Sequence, residues 1–123
     1  MLITGLLVTA LAGAGILAIG FLYLVRPQVM SASFGLPDHP PPGATPWLRL
    51  KGIRDLVAGL VAATLLITAP PTVIGWSVCS FSVIPLGDGA TVLAYGGNPR
   101  IAWGVHFSTA ALMLVGVALL LAS

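Results

Sequence analysis

The stretch Leu2–Val25, LITGLLVTALAGAGILAIGFLYLV, contains no charged residue over its whole length. A helix needs about 20 apolar residues to cross the hydrocarbon core of a bilayer, which is roughly 30 Å thick. The stretch is long enough, so we predict a transmembrane helix. The start Met1-Leu2-Ile3 lacks the positive charges of a signal peptide, and we expect the helix to be retained.

The composition of the whole chain agrees with this assignment. Hydrophobic residues make up 58% and charged residues only 7%, with a mean hydropathy of +1.07. Soluble domains average about 25% charged residues, so we predict a membrane protein surrounded by lipid. The net charge is only +2, and the basic residues flank apolar segments instead of forming a patch, which argues against nucleic-acid binding. Cys79 is the only cysteine, which excludes an internal disulfide and a C-x-x-C redox relay.

Three further apolar segments follow the first. Thr45-Pro46, Pro70-Pro71 and Asn98-Pro99 are typical helix starts, because proline is favoured in the first turn, and Gly96-Gly97 is a typical stop. We therefore predict an all-α, polytopic membrane protein in which residues 1–123 form a single domain. Its four transmembrane helices are expected over residues 2–25, 46–69, 72–95 and 99–122, with a long loop over residues 26–45.

Positive charge predicts the orientation of this bundle. The five basic residues, Arg26, Arg49, Lys51, Arg54 and Arg100, all flank the first and third connections. Positively charged loops stay in the cytoplasm, so we expect a multi-pass protein of the cell membrane with both termini outside. The aromatic residues agree with this orientation, because Trp and Tyr are enriched where a helix meets the membrane–water interface. Those near the predicted inner interface are Tyr23, Trp47, Tyr95 and Trp103, and Trp76 lies near the outer one.

Ionisable residues are predicted at one depth on three of the helices. At 1.5 Å per residue, Asp55 lies about 12 Å in from Trp47, Asp88 about 12 Å in from Gly96, and His106 about 10 Å in from Pro99. Such groups are costly inside a membrane, so a layer of them indicates a functional site.

The helix faces add detail to this layer. Gly52, Asp55, Gly59 and Ala62 share a stripe of small residues that favours close packing on a neighbour, and Lys51 is one turn from Asp55. Pro85 and the glycines beside Asp88 predict irregular backbone there. We also expect the apolar residues 29–36 to cap the inner mouth of the bundle.

These patterns define the candidate residues. The ligand-binding candidates are Arg54, Asp88, Tyr95, Trp103 and His106. In an acid–base enzyme, Asp88 or His106 would transfer the proton, Asp55 would orient its partner and Arg54 would stabilise charge. Asp55, Asp88 and His106 could offer three metal ligands, but no spacing motif supports them, so we predict no metal site.

Several of these motifs resemble those of a known family. The motifs are Phe34-Gly35-Leu36-Pro37, Lys51-Gly52-Ile53-Arg54-Asp55-Leu56 with Gly59, Pro85-Leu86-Gly87-Asp88, and His106 with Met113. In this order they resemble a small integral-membrane family catalogued as a domain of unknown function and, more loosely, the DoxX-like four-helix proteins. Some DoxX-like proteins are membrane subunits of quinone-linked oxidoreductases, so the resemblance implies a quinone or lipid-like ligand and a place in a membrane complex.

Three functions fit these observations. The first is a protein that binds an amphipathic small molecule, either alone or as a subunit of a membrane oxidoreductase. The second is a small enzyme for isomerisation or cyclisation of a lipophilic substrate. The third is a structural or assembly protein in which the polar layer fixes helix register. Transport is less favoured because one short chain offers little room for alternating access, although small residues on the first helix would permit a homo-oligomer.

Overall fold

Prolines and glycines set most helix ends in the computed structural model, which describes all residues from Met1 to Ser123. The helices are α1 (Leu2–Val25), α2 (Pro27–Ala32), α3 (Thr45–Thr68), α4 (Pro71–Phe81), α5 (Val83–Ala94), α6 (Pro99–Ile101) and α7 (Ser108–Leu121). A 3-10 turn (Pro42–Ala44) precedes α3, and a π-helical segment (Ala102–Phe107) joins α6 to α7. There is no β-strand, so the predicted all-α class is confirmed.

Three helical segments are long and apolar enough to cross a membrane. They are Leu2–Val25, Pro71–Ala94 and Pro99–Leu121. α3 has the same length as α1, but its first half carries Arg49, Lys51, Arg54 and Asp55. Composition alone therefore indicates three spans, and it indicates that the chain lies in a lipid bilayer.

Two helices are irregular, and only one of them was expected to be. The break between α4 and α5 falls at Ser82, because Pro85 has no N–H to donate to the carbonyl of Phe81 four residues earlier. The expectation of irregular backbone at Asp88 itself was wrong, since Gly87 and Gly89 lie in regular helix. The π-helical segment Ala102–Phe107 was not expected.

α1 packs along α3 through a seam of small residues. A Cβ added at Gly20 would lie 2.8 Å from the backbone oxygen of Gly52, and one at Gly13 would lie 3.1 Å from the Cβ of Ala62. The stripe predicted on α3, Gly52, Asp55, Gly59 and Ala62, is its buried face. The two helices therefore touch along most of their length.

The two ends of the bundle pack differently. At the termini end, where both chain ends lie, α1 also packs on α7, and Gly5 and Gly116 allow close contact with Leu120 and Val8. Ile74 and Val117 belong to the apolar core at this end. At the loop end, where residues 26–44 connect α1 to α3, α5 packs on the π-helical segment with Gly89 against Phe107. α1 and α5 barely touch, which leaves a gap between them.

Candidate ligand-binding cavity

The gap between α1 and α5 is a cavity of about 450 Å³. This volume lies within the range of about 300–1,000 Å³ that is usual for small-molecule sites. Most of the lining is apolar, including Ile16 from α1, Ala58 from α3 and Phe81 from α4. The cavity is therefore suited to an apolar molecule or to an apolar tail.

The cavity opens sideways through the surface of the bundle. Leu11 and Ile19 on one edge, and Ile84 and Val105 on the other, both line the cavity and face outward. All four residues belong to candidate membrane spans, whose outer surface is apolar. A molecule dissolved in the lipid could therefore enter the cavity without passing through water.

The segment after α2 closes the loop end of the cavity. Met30, Ser33 and Phe34 line it there. The ring of Phe34 packs on that of His106 with centroids 4.7 Å apart, and the backbone oxygen of Phe34 lies 2.9 Å from Nε2 of His106. Residues 29–36 were expected to cap the inner mouth of the bundle, and three of them, Met30, Ser33 and Phe34, lie at one end of the cavity.

Lys51 and Asp55 form the one salt bridge of the chain. The Nζ of Lys51 lies 2.5 Å from Oδ2 of Asp55, one helical turn away, as the sequence spacing predicted. The same ammonium lies 4.5 Å from the centroid of the Tyr23 ring and 5.5 Å from that of Phe34. Lys51 lines the cavity, whereas Asp55 is buried in the α1–α3 seam and does not.

Asp88 brings a carboxylate to the cavity from α5. It forms no ion pair and accepts no hydrogen bond from another side chain. No buried side-chain oxygen in the chain lacks a partner, so the oxygens of Asp88 reach the cavity surface instead of being sealed in the protein. The carboxylate is thus free to contact a bound molecule.

His106 comes from the π-helical segment and is buried. A carbonyl oxygen can only accept, so the contact with Phe34 means that Nε2 carries the proton and donates it. In the neutral ring Nδ1 is then an acceptor. π-helical turns occur frequently at functional sites, and this one rotates His106 into the cavity wall.

Besides Asp55, three of the candidate residues lie away from the cavity. Arg54 points outward from α3, because it is one residue from Asp55 and hence about 100° away around the helix. Tyr95 is 73% exposed, since it follows the last residue of α5. Trp103 is 65% exposed and packs on Phe107, because the π-helical turn breaks the regular spacing that would align it with His106.

Sequence reasoning missed two of the cavity groups and misplaced a third. Lys51 was expected only as the partner of Asp55, and Phe34 only as part of a capping segment. Tyr23 was expected to face the membrane interface, but it is only 2% exposed and lines the cavity. The spacing of Tyr23, four residues before Pro27 and three after Gly20, offered a signal, because Gly20 lies in the seam with α3.

A second, smaller cavity of about 240 Å³ lies between the loop end of the larger cavity and the loop before α3. Tyr23, Phe34 and Lys51 line both cavities, and Asp38 and Pro40 of the loop line only the smaller one. These three shared side chains therefore separate the larger cavity from the loop. Nowhere in the chain do three His, Cys, Asp or Glu residues come close enough to hold a metal ion.

Comparison with known proteins gives a family but no activity. Residues 13–121 match the model of a family described as Domain of unknown function (DUF4267), and the chain belongs to this family. No curated protein and no solved structure matches the chain. The resemblance to DoxX-like proteins is not supported by these comparisons.

Proposed function

We propose that this DUF4267 protein is a four-span membrane protein that binds an amphipathic small molecule. The cavity carries this proposal, because it combines an apolar body with a cluster of polar groups at one end. Asp88 and His106 would contact the head group, while the tail would lie between α1 and α5. Quinones and single-chain lipids are both molecules of this shape.

The contacts of α3 support a fourth span. It packs against α1 from Gly52, beside Tyr23, to Ala62, beside Gly13, and α1 is itself long and apolar enough to span. A helix held along a spanning neighbour would cross the same hydrocarbon. Its charges are accommodated because Lys51 and Asp55 pair with each other, and because a long side chain such as Arg54 can reach the interface from about two turns inside.

The orientation would follow the positive charges. Arg26, Arg49 and Arg100 lie at the loop end, which we place in the cytoplasm with both termini outside. Single cysteines at Asp38 or Ser123, introduced after Cys79→Ser, would test this in intact cells. A membrane-impermeant maleimide should label position 123 at once and position 38 only after permeabilisation. The reverse pattern would contradict the orientation.

Gly15 offers a sharp test of binding. It lines the cavity, and a Cβ added there would meet no atom within 4 Å, so Gly15→Leu should fill the cavity without disturbing the helices. Gly87→Leu is the matched control, since Gly87 is also helical and unobstructed but does not line the cavity. Native mass spectrometry of gently extracted protein should show a bound molecule in the wild type and in Gly87→Leu.

The same spectra should show that Gly15→Leu has lost most of this mass. Equal retention by all three proteins would mean that the molecule binds elsewhere. A wild type without any bound molecule, in several extraction conditions, would instead favour a structural role for the polar groups.

An enzyme is the second candidate, favoured by the two free acceptors Asp88 and His106 on one cavity wall. Asp88 would remove a proton from a lipophilic substrate and return it at another carbon, as an isomerisation requires, while Nδ1 of His106 would accept a hydrogen bond from the substrate. In that case Asp88→Asn should still bind the substrate but no longer convert it. Loss of binding in Asp88→Asn would point to a binding protein alone.

A further inference from the structure

In the cavity wall, most hydrogen-bond donors already have a partner in the protein, whereas most side-chain acceptors do not. Almost every polar hydrogen in its wall is already donated to the protein itself. Tyr23 and Ser33 both donate to the backbone oxygen of Met30, and Nε2 of His106 donates to that of Phe34. Thr9 and Thr109 donate to carbonyl oxygens four residues earlier in their own helices. Only the ammonium of Lys51 keeps spare hydrogens.

The acceptors of the cavity, in contrast, are largely free. The two oxygens of Asp88 have no side-chain donor, and Nδ1 of His106 accepts nothing when the ring is neutral. Both acceptors are open to the cavity, so a ligand that displaces water from them must supply donors in its place. A ligand that donates hydrogen bonds would therefore gain more here than one that only accepts.

The charges at this end of the cavity also favour a ligand that brings a positive, hydrogen-bond-donating group. Lys51, Asp55 and Asp88 together bring one positive and two negative groups to this end of the cavity. Lys51 is already bound to Asp55, and the other basic residues, such as Arg54, face outward. One further positive charge would balance the set. The rings of Tyr23 and Phe34 already face the ammonium of Lys51, which keeps that charge beside Asp55.

We propose that the head group of the bound molecule is a protonated amine, so that the ligand is a lipophilic ammonium compound with a single apolar tail. This proposal rests on the proposed function, namely that the cavity holds an amphipathic molecule. The ammonium would donate to Asp88 and to Nδ1 of His106, and the tail would extend past Gly15 toward the opening between α1 and α5. A quinone fits less well, because it offers only acceptors, and the spare hydrogens of Lys51 are the only free donors in the wall.

Four probes with the same tail separate the alternatives. They are dodecylamine, dodecyltrimethylammonium, dodecanol and dodecanoate, added at low concentration to the protein in lipid nanodiscs. Binding is measured by native mass spectrometry, with Gly15→Leu nanodiscs as the blank for partition into lipid. Dodecylamine should bind the wild type about tenfold tighter than dodecanol, as expected for a charge-assisted hydrogen bond. Dodecyltrimethylammonium, which has the charge but no N–H, should fall between them.

Variants at Asp88 assign the effect to this carboxylate. Asp88→Asn should remove most of the preference for dodecylamine over dodecanol, whereas Asp88→Glu, which keeps the charge, should retain part of it. If Asp88→Asn does not fold, the four probes on the wild type still decide the question. Equal binding of dodecanol or tighter binding of dodecanoate would overturn the amine head group.

The two proposals fail in distinguishable ways. If no probe binds the wild type more than it binds Gly15→Leu, the cavity does not hold an amphiphile and both proposals are wrong. If neutral or anionic probes bind the wild type at least as tightly as dodecylamine does, and do not bind Gly15→Leu, the cavity is a binding site and only the amine head group is wrong.

Discussion

The seam between α1 and α3 and the gap between α1 and α5 use glycine for opposite purposes. In the seam, Gly20 and Gly59 let two backbones meet, and an added Cβ would lie within 3.0 Å of the other helix. In the gap, Gly15 lies on α1, as Gly20 does, but a Cβ added at Gly15 would meet no atom within 4 Å. A small residue in a membrane helix thus indicates either close packing or a cavity, and only its neighbours decide which.

The polar groups divide in the same way. Asp55 lies in the seam and is neutralised by Lys51, whereas Asp88 lies on the gap and is not paired. The first carboxylate holds the structure together, and the second is available for a ligand. Variants that remove a charge, add a methyl group or remove a hydrogen-bond donor test this comparison between the seam and the gap.

Loss of the Lys51 ammonium should have the largest effect. Lys51→Met leaves Asp55, which is 6% exposed, without its counter-charge, and should lower the free energy of unfolding by about 3 kcal/mol. The double variant Lys51→Met/Asp55→Leu should recover most of this loss, because it removes both charges. Chemical unfolding in detergent would measure it, with the outward-facing Arg54→Met as control. A single variant as stable as the control would mean that the pair does not stabilise the seam.

A methyl group on the seam should have the next largest effect. Gly20→Ala would place its Cβ 2.8 Å from the backbone oxygen of Gly52, so the helices must separate at a cost of about 2 kcal/mol. Gly15→Ala, in the same helix, should instead be neutral or more stable by about 0.5 kcal/mol, because alanine favours the helix and space is open. Thermal unfolding of both variants checks this. Equal effects would show that the gap is packed.

The contact between His106 and Phe34 should have the smallest effect on stability. His106→Phe removes the donor to the Phe34 carbonyl and should cost about 1 kcal/mol. The consequence should be local, with faster amide exchange in residues 30–36 and little change in α3. His106→Gln, whose amide can still donate, should exchange more slowly than His106→Phe. Unchanged exchange in all three proteins would mean that this contact does not hold the cap.

The helix starts, the buried face of α3 and one ion pair could be predicted from local sequence patterns. Prolines and glycines indicated the starts at Pro71 and Pro99, and the small-residue stripe identified the buried face of α3. The pair of Lys51 with Asp55 followed from their spacing of four. Each of these features depends on one helix or on one turn, which is why a single sequence suffices.

The cavity could be predicted only in part, because it depends on how separate helices diverge. Asp88 and His106 were expected in one layer, and both line the cavity. Arg54, Tyr95 and Trp103 were expected there and lie outside, because the depth of a residue in the membrane does not give the direction of its side chain around the helix axis. The inward turn of Tyr23 depends on the contact with Gly52 across the seam.

A structure of the protein purified in native lipid would test the central claim most directly. The account predicts elongated non-protein density between α1 and α5, with its polar end within hydrogen-bonding distance of Asp88 and its tail passing Gly15. Direct packing of α5 on α1, with no space between them, would contradict it.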